Sequence, residues 1–315
     1  MNEVSALKHG PGHTASVVFI LAAAVWGMTV PALAQQISED GLSAIERIAP
    51  SQNTLSSVEV EAHLQEGAPP LQEGLAWRVF SAIPGEDGKL PLVASAEGGV
   101  SVFQLPPGEY FINAAFGRAA ATKKLRIWEG APVARQSLVL DAGGLLLHAE
   151  TGDDMPIPDS DLTFSIYASA PSGDSERVLV AKDIRPDTVV RLNADTYHVV
   201  SQYGHVNAVV QADMQVSAGK ITEATLEHRA ARVTFKLVAN AGGEAIADTA
   251  WSILTASGDL LATNVGAFPS MVLAEGNYTA IARNKEKIYQ KDFEVTAGRN
   301  SDVEVLLADG AQVED

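Results

Sequence analysis

The sequence predicts an all-β protein: three tandem seven-stranded β-sandwich domains after a cleaved signal peptide. Three observations carry this prediction. One phrase is written three times, as "LPPGEYFINAAFG" from Leu105, "LNADTYHVVSQYG" from Leu192 and "LAEGNYTAIARNK" from Leu273. An aromatic strand start precedes each phrase, at Trp77, Phe164 and Trp251, with a spacing of 87 residues both times. Between turns rich in Gly, Pro and Asp, apolar residues alternate with a period of two, the mark of a half-buried strand rather than a helix.

The elements follow in chain order. Ala15 to Val30 is an uncharged apolar run of 16 residues, followed by "PALA". The run is short for a membrane span, and Ala32 and Ala34 occupy the small-residue positions of a cleavage site. Residues 1–34 therefore read as a secretory signal peptide, cut before Gln35. Residues 35–55 form a leader or linker, in which Leu42, Ile45 and Ile48 mark a short helix ended by Pro50, or no fixed structure. The β-sandwich repeats occupy 56–142, 143–230 and 231–309, and 310–315 is a disordered tail.

Within the first repeat the strands read "VEVEAHL", "LAWRVFSA", "PLVAS", "VSVFQL", "EYFINAAFG", "TKKLRIW" and "RQSLVLDAG". Turns fall at "EGAPP", "PGEDG", "AEGG" and "PPG", where Gly and Pro supply special or fixed backbone angles. Downstream of each repeated phrase lies V/I-x-x-G, ending at Gly130, Gly219 and Gly298. Seven antiparallel strands in a unit of this size make a two-sheet sandwich with a core of its own. The joins "LDAGGLLLH" and "LEHRAARVTF" are very short, so a semi-rigid rod is expected rather than beads on a flexible string.

The phrase itself has a structural logic. Its Leu ends an inward-facing strand, the turn reverses the chain, and Tyr110, Tyr197 or Tyr278 opens the next strand. The ring enters the core while the hydroxyl stays at the rim, satisfied by nearby backbone, as in a tyrosine corner. "L-P-P-G-E-Y" with its alternating continuation resembles the hallmark of the transthyretin-like (broadly Ig-like) sandwiches of bacterial envelope proteins. These include the carboxypeptidase regulatory-like, Cna-B-like and PEGA-type domains. The second repeat departs from that pattern, since "NADTY" lacks Pro-Gly. The resemblance implies a spacer, stalk or binding module appended to other machinery.

Composition narrows the function classes. The mature chain loses Lys8 and Glu3, leaving 21 basic and 38 acidic residues and a net charge of −17. Such a chain is repelled by nucleic acid and by anionic lipid. It has no cysteine, hence no disulfide, thiolate metal site or Cys nucleophile. Its five mature histidines, His63, His148, His198, His205 and His228, form no tight metal motif. His198 and His205 are seven apart, which in one continuous strand places them on opposite faces. All five are expected at the rim or in solvent.

The best cation candidate is "DDMPIPDSD", where Asp153, Asp154, Asp159 and Asp161 place four carboxylates within nine residues. Calcium takes roughly six to eight oxygens. The loop lacks the order of a calcium-binding loop and its prolines hold the acidic pairs apart, so a solvated acidic turn is the plainer reading. "KKLR" and "NKEK" are short basic spots, and Trp128 is an aromatic without a clear core role, a possible glycan contact. No nucleophile elbow, phosphate loop or dinucleotide fingerprint is present in the sequence. The reading is a non-enzymatic envelope protein, periplasmic or else secreted or at the cell surface, not integral to the membrane after cleavage. Its partner is another envelope protein, met through an exposed strand edge. The alternative is a carbohydrate-binding module set, with calcium as an optional cofactor.

Overall fold

The computed structural model describes residues 55–152, 155–169 and 177–311. The signal peptide, the leader and half of the acidic loop (Asp153 and Asp154) lie outside the described residues.

The first repeat contains β1 (Ser56–His63), β2 (Leu75–Ser81), β3 (Leu92–Gly98), β4 (Ser101–Leu105), β5 (Gly108–Phe116), β6 (Ala119–Ile127) and β7 (Gln136–Val139). They form two facing sheets, β4-β1-β7 and β3-β2-β5-β6. The second contains β8 (Ala142–Thr151), a two-residue β9 (Met155–Pro156), β10 (Leu162–Ala168), β11 (Leu179–Ile184), β12 (Val190–Asn193), β13 (Asp195–Tyr203), β14 (Ala208–Val216) and β15 (Ile221–His228). Its sheets are β12-β8-β15 and β11-β10-β13-β14, with β9 added to β8. The third contains β16 (Ala230–Val238), β17 (Ala250–Thr255), β18 (Leu260–Val265), β19 (Ser270–Ala274), β20 (Gly276–Asn284), β21 (Lys287–Val295), β22 (Ser301–Leu306) and β23 (Gly310–Ala311). Its sheets are β19-β16-β22 and β18-β17-β20-β21-β23. The architecture is thus three tandem β-sandwiches of one topology. β23 pairs with Ile288 and Tyr289, so ordered pairing runs two residues into the segment expected to fray.

One expectation is corrected. The strands are not all antiparallel. In every repeat the first strand is central and its last strand lies parallel to it: β1 with β7, β8 with β15, β16 with β22. A parallel pair needs a long crossover. Here the strands in between, five in the first and third repeats and six in the second, are that crossover, a long-range pairing that local alternation does not encode.

Alternation puts one face of each strand into the core. In β5 the buried set is Tyr110, Ile112 and Ala114; in β13 it is Tyr197, Val199, Ser201 and Tyr203; in β20 it is Tyr278, Ala280 and Ala282. Three cores result, centred on Trp77, Phe164 and Trp251, and the second also takes in Ala230 and Val272 of the third repeat. Burying indoles requires partners for their N–H groups. Trp77 Nε1 donates to the Gly99 carbonyl at 2.7 Å, and Trp251 Nε1 to that of Gly266 at 3.0 Å. Phe164 fills the same place without that need.

Each larger sheet ends on an edge strand, β3, β11 or β18, that joins its neighbour through a register shift. Bulged edges twist away and discourage indiscriminate pairing. The breaks between repeats are equally local. Asp141, with φ of 45°, kinks the chain between β7 and β8. The break between β15 and β16 is the single residue Arg229.

Candidate functional site

The features that recur are the tyrosine phrase and the joints between repeats. Tyr110 donates its hydroxyl to the Pro106 carbonyl at 2.9 Å, Tyr197 to that of Asn193 at 3.0 Å, and Tyr278 to that of Ala274 at 2.8 Å. In each case the acceptor lies four residues back, at the turn that ends the preceding strand. Burial holds the Tyr110 and Tyr197 hydroxyls above their usual pKa, with the Asp195 carboxylate adding to the effect on Tyr197.

The joints use the other end of the same phrase. In the first repeat the β5–β6 turn meets β12 of the second: Arg118 N–H donates to the Arg191 carbonyl at 3.1 Å. Asn193 closes the contact. Its Oδ1 accepts from Ala120 N–H at 3.2 Å, while its Nδ2 donates to the carbonyls of Ala120 at 3.2 Å and Leu140 at 2.7 Å. In the second repeat the β13–β14 turn meets β19 of the third. There Asn207 Nδ2 donates to the Tyr278 hydroxyl at 2.9 Å, and its Oδ1 accepts from Ala274 N–H at 3.0 Å. An asparagine therefore clamps each joint, from the following repeat in one case and from the preceding repeat in the other. This accounts for the "NAD" departure in the second phrase: its Asn193 receives the first repeat.

The glycine that ends the phrase is needed for the same approach. Gly117 has φ of +66°, and a Cβ there would lie 2.9 Å from Arg191 Cβ. Gly204 has φ of +70°, and its Cβ would lie 2.7 Å from Val272 Cβ. The third phrase carries Asn284 and Lys285 instead. At the second joint Thr151 Oγ1 also donates to the Ala230 carbonyl at 2.7 Å, Arg229 pairs with Glu275 at 2.6 Å, and Arg232 pairs with Asp161.

That last pair bears on the acidic loop. Asp159 and Asp161 sit on a one-turn 3₁₀ segment before β10. Asp161 faces Arg232 of the third repeat, and its carbonyl accepts from Gly204 N–H at 2.7 Å. Asp161 is thus tied to a joint. Among the described residues no three His, Asp or Glu side chains gather as a metal site.

The histidines divide. His198 is near the surface beside Asp213, 2.7 Å away. His205 lies in the turn after β13, so the two do not share a continuous strand. His148 lies between Asp187, 2.7 Å from Nδ1, and Glu223, 3.0 Å from Nε2, the latter out of line for a hydrogen bond. His228 contradicts the rim expectation: it is 1% exposed. It ends β15 on the inward face, packs edge-on against Tyr203 and lies 2.7 Å from Ser201 Oγ through Nε2. Its Nδ1 has no hydrogen-bond partner. Burial lowers its pKa from 6.5 to about 4. A serine–histidine contact is also the start of nucleophilic machinery, but Ser201 is 0% exposed and no substrate reaches it. The sequence signal for this pair was the even spacing along β15, which puts His228 on the same face as Leu226.

Trp128 is exposed, with the Arg126 guanidinium 3.9 Å from its ring centre, so one ring face is already covered. Among the described residues no helix is long and apolar enough to cross a membrane.

Comparison with known proteins places a family model on one repeat. Residues 232–307 match the Rhizobiales growth-associated tandem repeat domain. The match runs from within β16 to just beyond β22, so it covers the third sandwich. No curated protein matches the chain. Among solved structures the chain is similar to the Bacillus anthracis TIE protein, at 15% identity and a TM-score of 0.24, covering 82% of this chain and 51% of that one. It is similar to a streptococcal ancillary pilin at 11% identity and a TM-score of 0.29, covering 80% and 98%. It is also similar to GBS52, the minor pilin of Streptococcus agalactiae, at 15% identity and a TM-score of 0.29, covering 55% and 95%. The chain spans about half the length of the first of these.

Proposed function

We propose that this chain is a non-enzymatic exported protein of the bacterial envelope, in which three copies of one β-sandwich form a semi-rigid spacer that engages an envelope protein partner. The observation that carries the reading is the repeated joint. At both joints a turn of one repeat is seated on the phrase of the next by an asparagine clamp and a glycine too close for a side chain. Independent binding modules have no need of such seating, whereas a spacer depends on a held orientation between successive units. The first two repeats are diverged copies of the growth-associated domain whose family model fits the third, and the role belongs to cell growth. The periplasm is the compartment, with the cell surface as the alternative. An exposed sheet edge offers the partner a place to pair.

The reading is tested in cells that express a C-terminally tagged chain. Fractionation is expected to find it in the envelope with Gln35 at its N-terminus. Chemical crosslinking followed by mass spectrometry is expected to recover one envelope protein joined to defined repeat residues. A cytoplasmic chain that keeps Met1, or an envelope chain that crosslinks to nothing above a control, refutes it. In the second case glycan arrays with and without a chelator decide the carbohydrate alternative.

A further inference from the structure

The two joints share a construction but not a charge. At the second, Arg229 and Arg232 are both neutralised, by Glu275 and Asp161. At the first, Arg118, Lys182, Arg185 and Arg191 line one open groove of about 420 Å³ in which, among the described residues, the only lining carboxylate is Asp183. Asp183 lies 3.7 Å from Lys182. Among the described residues Arg118, Arg185 and Arg191 have no carboxylate partner. Arg191 instead rests on the Phe116 ring, 4.4 Å from its centre. On a chain of net charge −17, three arginines without a carboxylate partner in one groove make a local positive site suited to an anion.

The groove adjoins an apolar cleft of about 260 Å³ between the repeats, sharing Val189 and Arg191 with it. Leu64 and Phe116 line the cleft from the first repeat, Val189 and Ile221 from the second, with Lys220 beside them. A side chain at Gly144 would begin 3.0 Å from Val189 Cγ1 and 3.3 Å from Ile221 Cγ1, so glycine keeps this space open. Ile221 is 62% exposed, an uncovered apolar wall next to the unpaired cations.

We propose that the first joint binds a single-chain anionic lipid, with its hydrocarbon in the cleft between Val189 and Ile221 and its phosphate head group on Arg118, Arg185 and Arg191. Guanidinium forks suit phosphate oxygens geometrically as well as in charge. The cleft is small beside the roughly 300–1,000 Å³ of drug-sized pockets, which suits one chain rather than two. The net negative charge of the whole chain opposes docking on an anionic bilayer, but a single molecule feels mainly the charges within a Debye length of roughly 8 Å. The occupant is therefore one extracted lipid, not a membrane surface.

Titration of the mature protein with dodecyl phosphate, dodecyl maltoside and inorganic phosphate, all below micelle formation and followed calorimetrically, tests this. Dodecyl phosphate is expected to bind at least about tenfold more tightly than either of the others. Ile221→Asp, an exposed change in the cleft wall, is expected to weaken dodecyl phosphate about tenfold or more; the Arg118→Gln/Arg185→Gln variant is expected to weaken it similarly and flatten its salt dependence. Unchanged thermal midpoints establish that the variants are folded; if Ile221→Asp shifts its midpoint, Ile221→Gln carries the same test. Equal binding of dodecyl maltoside overturns the head-group half of the proposal. Equal binding of inorganic phosphate overturns the chain half. Unaltered binding in both variants places the ligand elsewhere and overturns the site.

Discussion

Acidification is expected to loosen the middle repeat through His228. The perturbation is pH itself, and the control is Ser201→Ala/His228→Leu, which removes the titrating ring and the hydroxyl it would leave stranded. His228 is buried with a pKa near 4, against 6.5 when free. The unfolded chain then holds the proton more tightly than the folded one, so stability is complete above pH 6.5 and is lost as pH falls through 4. The difference corresponds to about 3 kcal/mol once both states are protonated. Glu109 and Glu304, whose pKa values are lowered first by hydrogen bonds from Lys124 and Lys236, lose their contributions only below 4.5 and so leave the upper part of the window to His228. The assay must see the middle repeat. Tryptophan fluorescence does not, because the chain's four tryptophans are Trp26, Trp77, Trp128 and Trp251, none of them in that repeat. Amide hydrogen exchange of β13 and β15, read by mass spectrometry after correction for the pH dependence of intrinsic exchange, does. Protection there is expected to fall between pH 7 and pH 4.5 in the natural chain and to stay nearly level in the double variant. Parallel curves for the two proteins refute the reasoning, as does an imidazole resonance of His228 titrating near 6.5.

Other changes separate the joints from the folds they connect. Gly204→Ala places a Cβ against Val272 and is expected to cost about 1–3 kcal/mol, whereas Gly130→Ala, at φ of +70° with nothing within 4 Å, costs only about 1 kcal/mol; urea unfolding of the two variants compares them. Asn193→Ala removes the bonds to Ala120 and Leu140 and is expected to raise hydrogen exchange at the first joint by the equivalent of about 1–3 kcal/mol while leaving the third core unchanged. Tyr110→Phe and Tyr278→Phe each delete a hydroxyl bonded to a turn carbonyl. Tyr110→Phe is expected to cost about 1 kcal/mol and Tyr278→Phe about 2 kcal/mol, since the latter also takes an acceptor from Asn207; the costs add because separate cores hold the two tyrosines, as followed by tryptophan fluorescence in urea.

Much of the candidate site was readable in part. The tyrosine phrase marked where each repeat turns, and its Gly117 and Gly204 stood in plain sight. Nothing local, however, told that a following repeat would close on those glycines. Asn193 looked like a lapse from Pro-Gly because its partners, Ala120 and Leu140, belong to another sandwich. The basic groove was hidden for the same reason: Arg118 is far from Lys182, Arg185 and Arg191 in the chain, and only the joint gathers them. The acidic loop attracted attention as a run of carboxylates, while the use of Asp161 depended on Arg232, 71 residues away.

Short-range physics thus determined the strands, their buried faces, the turns and the threefold repetition, because alternation and turn chemistry act over a few residues and survive in any reading of the chain. Tertiary structure alone decided the parallel pairing of first and last strands, the burial of His228 beside Ser201, and the unequal charge of the two joints. Each of these depends on contacts between segments far apart in sequence, whose free energies exist only when the intervening chain has folded to bring them together.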